Sequence, residues 1–167
     1  MLNKSYRSTY EITNFAQQIQ PNPNLVPIER HGEDPSVLQL KTTGEEGEKV
    51  KQLIADFRKS DFHSFGIVCK TQKQAEKLFD QLGGYDADIA LLTSHSSTFN
   101  DGVVVTSAHM AKGLEFDWVV IPQATTLNYK TQVDKSMLYI ACTRAMHRLV
   151  VTCAKEKTAF LGNLNGL

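Results

Sequence analysis

The sequence has no excess of charge of either sign. Its 18 lysines and arginines balance 18 aspartates and glutamates, so the formal net charge at pH 7 is zero. A domain that binds nucleic acid by itself usually carries a basic excess, because neutralising phosphates releases counterions. Any nucleic-acid contact of this chain should therefore be local, or shared with another domain.

Cysteines are few, and long apolar runs are missing. Three cysteines, Cys69, Cys142 and Cys153, stand in apolar surroundings. An odd number without metal-ligand spacing disfavours a disulfide framework and a zinc site. No apolar run approaches the roughly 20 residues of a membrane span, and the N-terminus lacks a signal-peptide core. We expect a cytoplasmic protein with reduced cysteines, no bound metal of its own and no membrane partner.

A phosphate-binding loop is also missing. The pattern G-x-x-x-x-G-K-[ST] does not occur, and no acidic pair follows a predicted strand as a Mg²⁺-binding pair would. Lys112 and Gly113 stand in the wrong order for such a loop. The chain is therefore not expected to hold the phosphates of a nucleotide alone.

Predicted helices and strands alternate along the sequence. Strands are predicted at 37–40, 65–69, 89–92, 103–106, 118–121 and 149–152 from short apolar runs. Helices are predicted from a Ser8/Glu11 capping box to before Pro21, from Thr43/Glu46, from Thr71/Gln74 to Gly83, at 137–145, and briefly from Lys155. The segment 21–33 is predicted to be a loop.

This alternation predicts one three-layer α/β domain with a mostly parallel sheet covered on both faces. The inward helix faces are predicted to be Val50, Leu53, Ile54 and Phe57, and Ala75, Leu78, Phe79 and Leu82. Trp118 is expected to pack in the core, and the acidic residues 45–48 to form a solvated first helical turn. Ligands of such sheets bind at the carboxyl ends of the strands.

Three segments carry candidate chemistry: SYRST at 5–9, TSAHMAKGLEFD at 106–117 and LYIACTRA at 138–145. In the second, small residues and Gly113 allow close approach of a ligand to the backbone. His109, Lys112 and Glu115 offer polar groups there. In the third, Arg144 follows an amphipathic stretch and could project toward a partner surface.

These segments resemble motifs IV, V and VI of the second RecA-like domain (2A) of UvrD/Rep-type superfamily 1 helicases, in the family's order. The resemblance covers about residues 5–153 and implies a RecA-like fold, related to the P-loop NTPases, without the phosphate loop. The phrases LNKSYRSTYEIT and MLYIACTRAMHRL are most similar to the HelD and helicase-IV-like branch of Gram-positive bacteria, whose HelD members associate with RNA polymerase. The segment between motifs IV and V has no room for the large 2B insertion of UvrD.

The resemblance implies roles at the nucleotide. Arg144 corresponds to an arginine finger at the γ-phosphate of ATP, and Arg7 to a second contact with that phosphate. Tyr6 corresponds to the aromatic ring that stacks on adenine and Glu115 to the carboxylate that accepts from the ribose, and Gly113 is the third residue expected to bind ATP. The structural alternatives are surface charges at helix ends for the arginines, a core tyrosine, and a helix-cap carboxylate.

The resemblance also implies a nucleic-acid side, where Thr106, His109 and Lys112 would contact backbone phosphates without reading sequence. For His109 the alternative is a structural histidine. Lys112 could serve either side.

Because the sequence begins almost on motif IV, we expect residues 1–167 to be a single C-terminal helicase domain of a larger protein. An N-terminal RecA-like domain would supply the phosphate loop and the ligands of Mg²⁺, and the isolated chain would be inactive. The expected activity is that of an ATP-dependent DNA helicase or translocase acting on single-stranded or duplex DNA. The alternatives are a HelD-type ATPase that remodels a complex with RNA polymerase, and a non-catalytic interaction module.

Overall fold

The computed structural model describes residues 8–23, 29–83, 88–93 and 101–162. Its strands are β1 (Ser36–Leu40), β2 (Ser64–Cys69), β3 (Ile89–Leu91), β4 (Gly102–Ser107), β5 (Phe116–Ile121) and β6 (Ala145–Ala154). Its helices are α1 (Tyr10–Ile19), α2 (Thr43–Arg58), α3 (Gln72–Gly83) and α4 (Gln132–Cys142), followed by a short 3₁₀ helix, Ala159–Leu161. All six predicted strands are confirmed.

The strands form one sheet in the order β1-β6-β5-β2-β4-β3, and each neighbouring pair is parallel. Side chains alternate between two cores along each strand. In β5, Phe116, Val119 and Ile121 pack with α1 and α4, whereas Trp118 and Val120 pack with α2 and α3. Helices therefore cover both faces, and the predicted three-layer α/β architecture is confirmed.

The connection between β4 and β5 contains no regular helix. Residues 108–115 carry the chain from the carboxyl edge of β4 to the amino edge of β5 through a series of turns. Ala108 and Ala111 are buried in the core that contains α1 and α4. Small side chains let this segment lie close to the sheet, so motif V forms a compact crossover on that face.

Two helix caps, those of α1 and α2, differ from the predicted ones. Thr9 caps α1, because its hydroxyl accepts from Ile12 N, while Ser8 donates to Ala145 O at 2.7 Å. Thr42 caps α2 by accepting from Glu45 N at 3.0 Å. The predicted cap at Thr71 is confirmed, since its hydroxyl accepts from Gln74 N at 3.1 Å. At α1, the long-range bond of Ser8 leaves Thr9 to cap the helix.

The fourth helix also differs from the prediction. It begins at Gln132, where Thr131 and Asp134 form a capping box, and it ends at Cys142. Arg144 therefore lies in the connection between α4 and β6, not within the helix. Burial alone would raise the pKa of Asp134, but the N–H groups of Lys130 and Thr131 and the Lys70 ammonium lower it to about 2.

Glu46 is buried, at 5% exposure, so the prediction of a solvated acidic turn is wrong for this residue. One of its carboxyl oxygens accepts from Gln123 N at 2.7 Å and from the Thr152 hydroxyl at 2.8 Å. Its neighbours Glu45 and Glu48 are exposed, as expected. Glu46 thus joins α2 to the carboxyl ends of β5 and β6.

All three cysteines are free and buried, as expected for reduced core residues. Trp118 is 1% exposed, which confirms its predicted packing role. Among the described residues, no helix is both long and apolar enough to cross a membrane.

Leu53→Ala should lower the free energy of unfolding by roughly 2–5 kcal/mol, because it leaves a cavity in a core position that is 7% exposed. Leu127→Ala is the matched control, since that leucine is 82% exposed and should change stability by less than about 0.5 kcal/mol. Urea melts of the 167-residue chain measure both changes. Equal effects of the two substitutions would contradict the packing described for α2.

Candidate functional site

Motifs V and VI and the end of motif IV meet at the amino ends of β5 and β6. Ser8 donates its hydroxyl to Ala145 O at 2.7 Å, and Thr9 N donates to Met146 O at 3.2 Å. Phe116 N donates to Arg144 O at 2.8 Å. These bonds join segments that lie far apart in the sequence, so the three motifs form one cluster in the fold.

The Arg144 side chain lies against the motif V crossover. Its Nη1 donates to Leu114 O at 3.1 Å and its Nη2 donates to the Thr143 hydroxyl at 3.2 Å. That hydroxyl donates its own proton to Ile140 O at 2.7 Å, so a lone pair is left for the guanidinium. Arg144 is thereby held between the last turn of α4 and the crossover.

The Arg144 guanidinium is half-buried, and its Nε is buried without a hydrogen-bond partner. Burial lowers the pKa of Arg144, and the nearby Glu115 carboxylate opposes that shift. An arginine keeps its proton at neutral pH even so. The cluster therefore contains a positive charge with a buried donor whose hydrogen bond is unmade, which favours an incoming acceptor.

Gly113 and Glu115 flank Leu114 on the same crossover. Gly113 has φ +83°, in the left-handed region, and a Cβ built on it would meet no atom within 4 Å. The backbone is thus open to solvent at this turn. Glu115 is half-buried and lies close enough to Arg144 to act on its pKa.

The nucleic-acid candidates are divided by burial. His109 and Lys112 are exposed on the crossover, but Thr106 is fully buried in β4, with its hydroxyl 3.4 Å from Ser107 O. Thr106 of β4 pairs with Val68 of β2. The register of β2 with β5 places Phe116 level with the β2 position five residues before Val68. At ~3.3 Å per residue this puts Thr106 about 16 Å along the sheet from the Arg144 cluster. The Thr106 hydroxyl does not reach the surface.

Tyr6 and Arg7 lie outside the described residues. Ser8, which follows Arg7 directly, is 4% exposed and is bonded at the edge of the cluster.

The cluster lies at the amino edge of the sheet, before β5 and β6, and not at the carboxyl edge where sheets of this class usually bind ligands. At the carboxyl edge, Tyr129 is 2% exposed and Lys70 pairs with Asp134 at 3.3 Å. Lys70 also donates to Asn128 O. The 122–131 loop thus covers part of the edge at which the sequence predicted ligands.

Two groups of the cluster are missed by sequence reasoning. The Thr143 hydroxyl and the Leu114 carbonyl hold the Arg144 guanidinium. Thr143 could have been noticed as the polar neighbour of Arg144, but a backbone carbonyl has no sequence signature. The 30–32 segment, predicted as loop, is also fixed, because Tyr10 N donates to Arg30 O at 2.7 Å.

Comparisons with known proteins concern the fold and the segment that contains motifs V and VI. Residues 102–152, which contain motifs V and VI, match the family model of the UvrD-like helicase C-terminal domain. The chain is similar to the C-terminal domain of a possible DNA helicase from Lactobacillus plantarum WCFS1. The identity is 29%, with 96% of this chain and 94% of that chain covered and a TM-score of 0.79. A search of curated protein sequences found no match.

Two further solved structures share the fold alone. The UvsW helicase from bacteriophage T4 is 13% identical, over 75% of this chain and 50% of that one, with a TM-score of 0.51. The SWI2/SNF2 ATPase core from Sulfolobus solfataricus, solved with dsDNA, is 14% identical, over 70% and 27% of the two chains, with a TM-score of 0.51.

The fold is that of helicase C-terminal RecA-like domains, as predicted. Residues 102–152 are similar to the UvrD-like helicase C-terminal domain. The resemblance drawn from motifs V and VI is confirmed at this level, and the narrower HelD resemblance stays a prediction.

Gly113→Ala should destabilise the chain by about 1 kcal/mol, because alanine is strained at φ +83° although space is open around its Cβ. Gly47→Ala is the matched control, since Gly47 lies inside α2 with equally open space. It should stabilise by roughly 0.5–1 kcal/mol through helix propensity. Thermal melts of both variants measure the difference. Stabilisation by both would show that the crossover does not require a left-handed residue.

Proposed function

We propose that this chain is the C-terminal motor domain of an ATP-dependent superfamily 1 DNA helicase or translocase. ATP binds in a cleft between this domain and an N-terminal RecA-like domain of the same protein, which supplies the phosphate loop and the Mg²⁺ ligands. The polymerase-associated alternative stays a prediction from the narrower resemblance, and so does the non-catalytic module.

The observation that supports this proposal most directly is the Arg144 guanidinium held on the motif V crossover. Its hydrogen bonds to Leu114 O and to Thr143 join motif VI to motif V. Ser8 joins the end of motif IV to the same edge. A positive group held between motifs V and VI, with the end of motif IV bonded to the next residue, fits a shared site better than it fits a solvated surface arginine.

The cluster has the chemistry needed to hold the terminal phosphates of ATP. A guanidinium has about five N–H donors, and two bonds to described atoms leave donors for phosphate oxygens. The buried Nε without a partner is one of them. The open backbone at Gly113 allows close approach of a nucleotide, and the Glu115 carboxylate is suited to a ribose hydroxyl.

ATP supplies the phosphoryl group whose transfer to water drives the motor. Arg144 and Arg7 stabilise the negative charge that spreads over the phosphoryl oxygens, an effect worth roughly 10³–10⁵ in rate for arginine fingers. Tyr6 stacks on the base, and Glu115 orients the sugar. The crossover also carries His109 and Lys112, both exposed, which contact the nucleic-acid backbone. One segment thus serves both ligands.

Arg144→Ala in the full-length protein should lower the kcat of ATP hydrolysis at least about a hundredfold, while ATP binding is largely kept. The charge matters most in the transition state, so the loss falls on kcat. Steady-state ATPase assays and nucleotide titrations measure the two effects. Arg148→Ala is the control. Arg148 lies on β6, away from the crossover, and its Nε is 2.8 Å from a carboxyl oxygen of Glu33.

The chain alone, without the phosphate loop, should show no Mg²⁺-dependent ATP turnover in the same steady-state assay. Turnover within a fewfold of wild type in Arg144→Ala would make Arg144 a structural residue. Unfolding of that variant as severe as in Leu53→Ala would lead to the same conclusion.

A further inference from the structure

A second polar site lies on the other face of the sheet. A groove of about 430 Å³ opens between α2 and α3 at the carboxyl end of β5. Glu46 and Gln123 line it together with Gln74 and Leu78, and Lys51 and Lys77 line it as well. Its volume is in the range of small-ligand sites. None of its lining residues belongs to motif V or VI.

Glu46 is a buried acidic group of this groove. It is 5% exposed, and among the described residues no lysine, arginine or histidine lies within ion-pair distance of it. Its bonds with Gln123 N and Thr152 use two of the roughly four acceptor positions of a carboxylate. A buried carboxylate without a counter-charge is costly, so a cation that reaches it is bound favourably.

Gln123 adds a second acceptor. Its side-chain Oε1 is buried and has no hydrogen-bond partner. The residue has φ +60°, a conformation that non-glycine residues seldom adopt. The backbone on either side of its peptide is fixed, because its N–H donates to Glu46 and its carbonyl accepts from Asn128 at 2.9 Å. The Glu46 carboxylate and Gln123 Oε1, which are neighbours in the fold, thus both have unused capacity to accept hydrogen bonds.

We propose that this groove binds a guanidinium group, which donates to the Glu46 carboxylate and to Gln123 Oε1. A guanidinium fits better than an ammonium because its planar fork presents several donors at once to neighbouring acceptors. The group comes either from free arginine or from an arginine side chain of a partner protein. Lys51 and Lys77 would then lie near the carboxylate of a free amino acid.

The test is a titration of the ¹⁵N-labelled 167-residue chain with L-arginine, followed through the backbone amide resonances of Glu46 and Gln123. L-citrulline is the matched ligand control, since it has nearly the same shape without the charge. We expect saturable shifts of both amides with arginine and at least about tenfold weaker binding of citrulline, because charge-assisted hydrogen bonds are lost.

Glu46→Gln is the central variant, because glutamine keeps an acceptor oxygen for Gln123 N and Thr152 while removing the charge. It should weaken arginine binding at least about tenfold. Glu45→Gln is the matched control: it makes the same charge change at an exposed neighbour outside the groove, and binding should stay within about twofold. A urea melt of each variant shows whether it is folded.

A third ligand distinguishes the two sources. N-acetyl-L-arginine amide mimics an arginine inside a protein chain, and binding as tight as that of L-arginine would identify a partner's side chain. Tighter binding of free L-arginine would identify the amino acid. Equal binding of arginine and citrulline, arginine binding unchanged by Glu46→Gln in a folded variant, or no saturable shift at all would each overturn the proposal.

Discussion

The crossover between β4 and β5 is the constraint on which the site depends. Residues 108–115 must return the chain from the carboxyl edge of one strand to the amino edge of another without a helix. They do so by lying on the sheet, with Ala108 and Ala111 buried and Gly113 in a left-handed turn. As a result, Leu114 O comes within hydrogen-bonding distance of Arg144.

Local structure could be predicted from the sequence because it follows from local causes. Apolar spacing located all six strands and the helices, since each element buries one or both faces in a core. The errors arose where a distant group competes for a side chain. The Ser8 hydroxyl donates to Ala145 O and therefore does not cap α1. The Glu46 carboxylate is buried, where it accepts from Gln123 N and the Thr152 hydroxyl. Sequence spacing contains no information on such partners.

The residue types of the candidate site were accessible from motif resemblance, but its arrangement was not. The general rule for parallel sheets pointed to the carboxyl edge, whereas Arg144 and Glu115 lie at the amino edge. Thr106 was grouped with His109 because both belong to motif V, yet Thr106 is buried in a strand and His109 is exposed. The groove beside Glu46 contains no motif, so only the fold brings its acceptors together.

The account rests on Arg144 as a group whose guanidinium has donors left for a phosphate beside its bonds to Leu114 O and Thr143. The most direct measurement is a structure of the full-length protein with Mg²⁺ and a non-hydrolysable ATP analogue. The account predicts that an Arg144 guanidinium nitrogen lies about 2.7–2.9 Å from an oxygen of the terminal phosphate, the distance of a charge-assisted hydrogen bond. A nucleotide bound in the interdomain cleft while Arg144 donates only to Leu114 O and Thr143, with no phosphate contact, would contradict it.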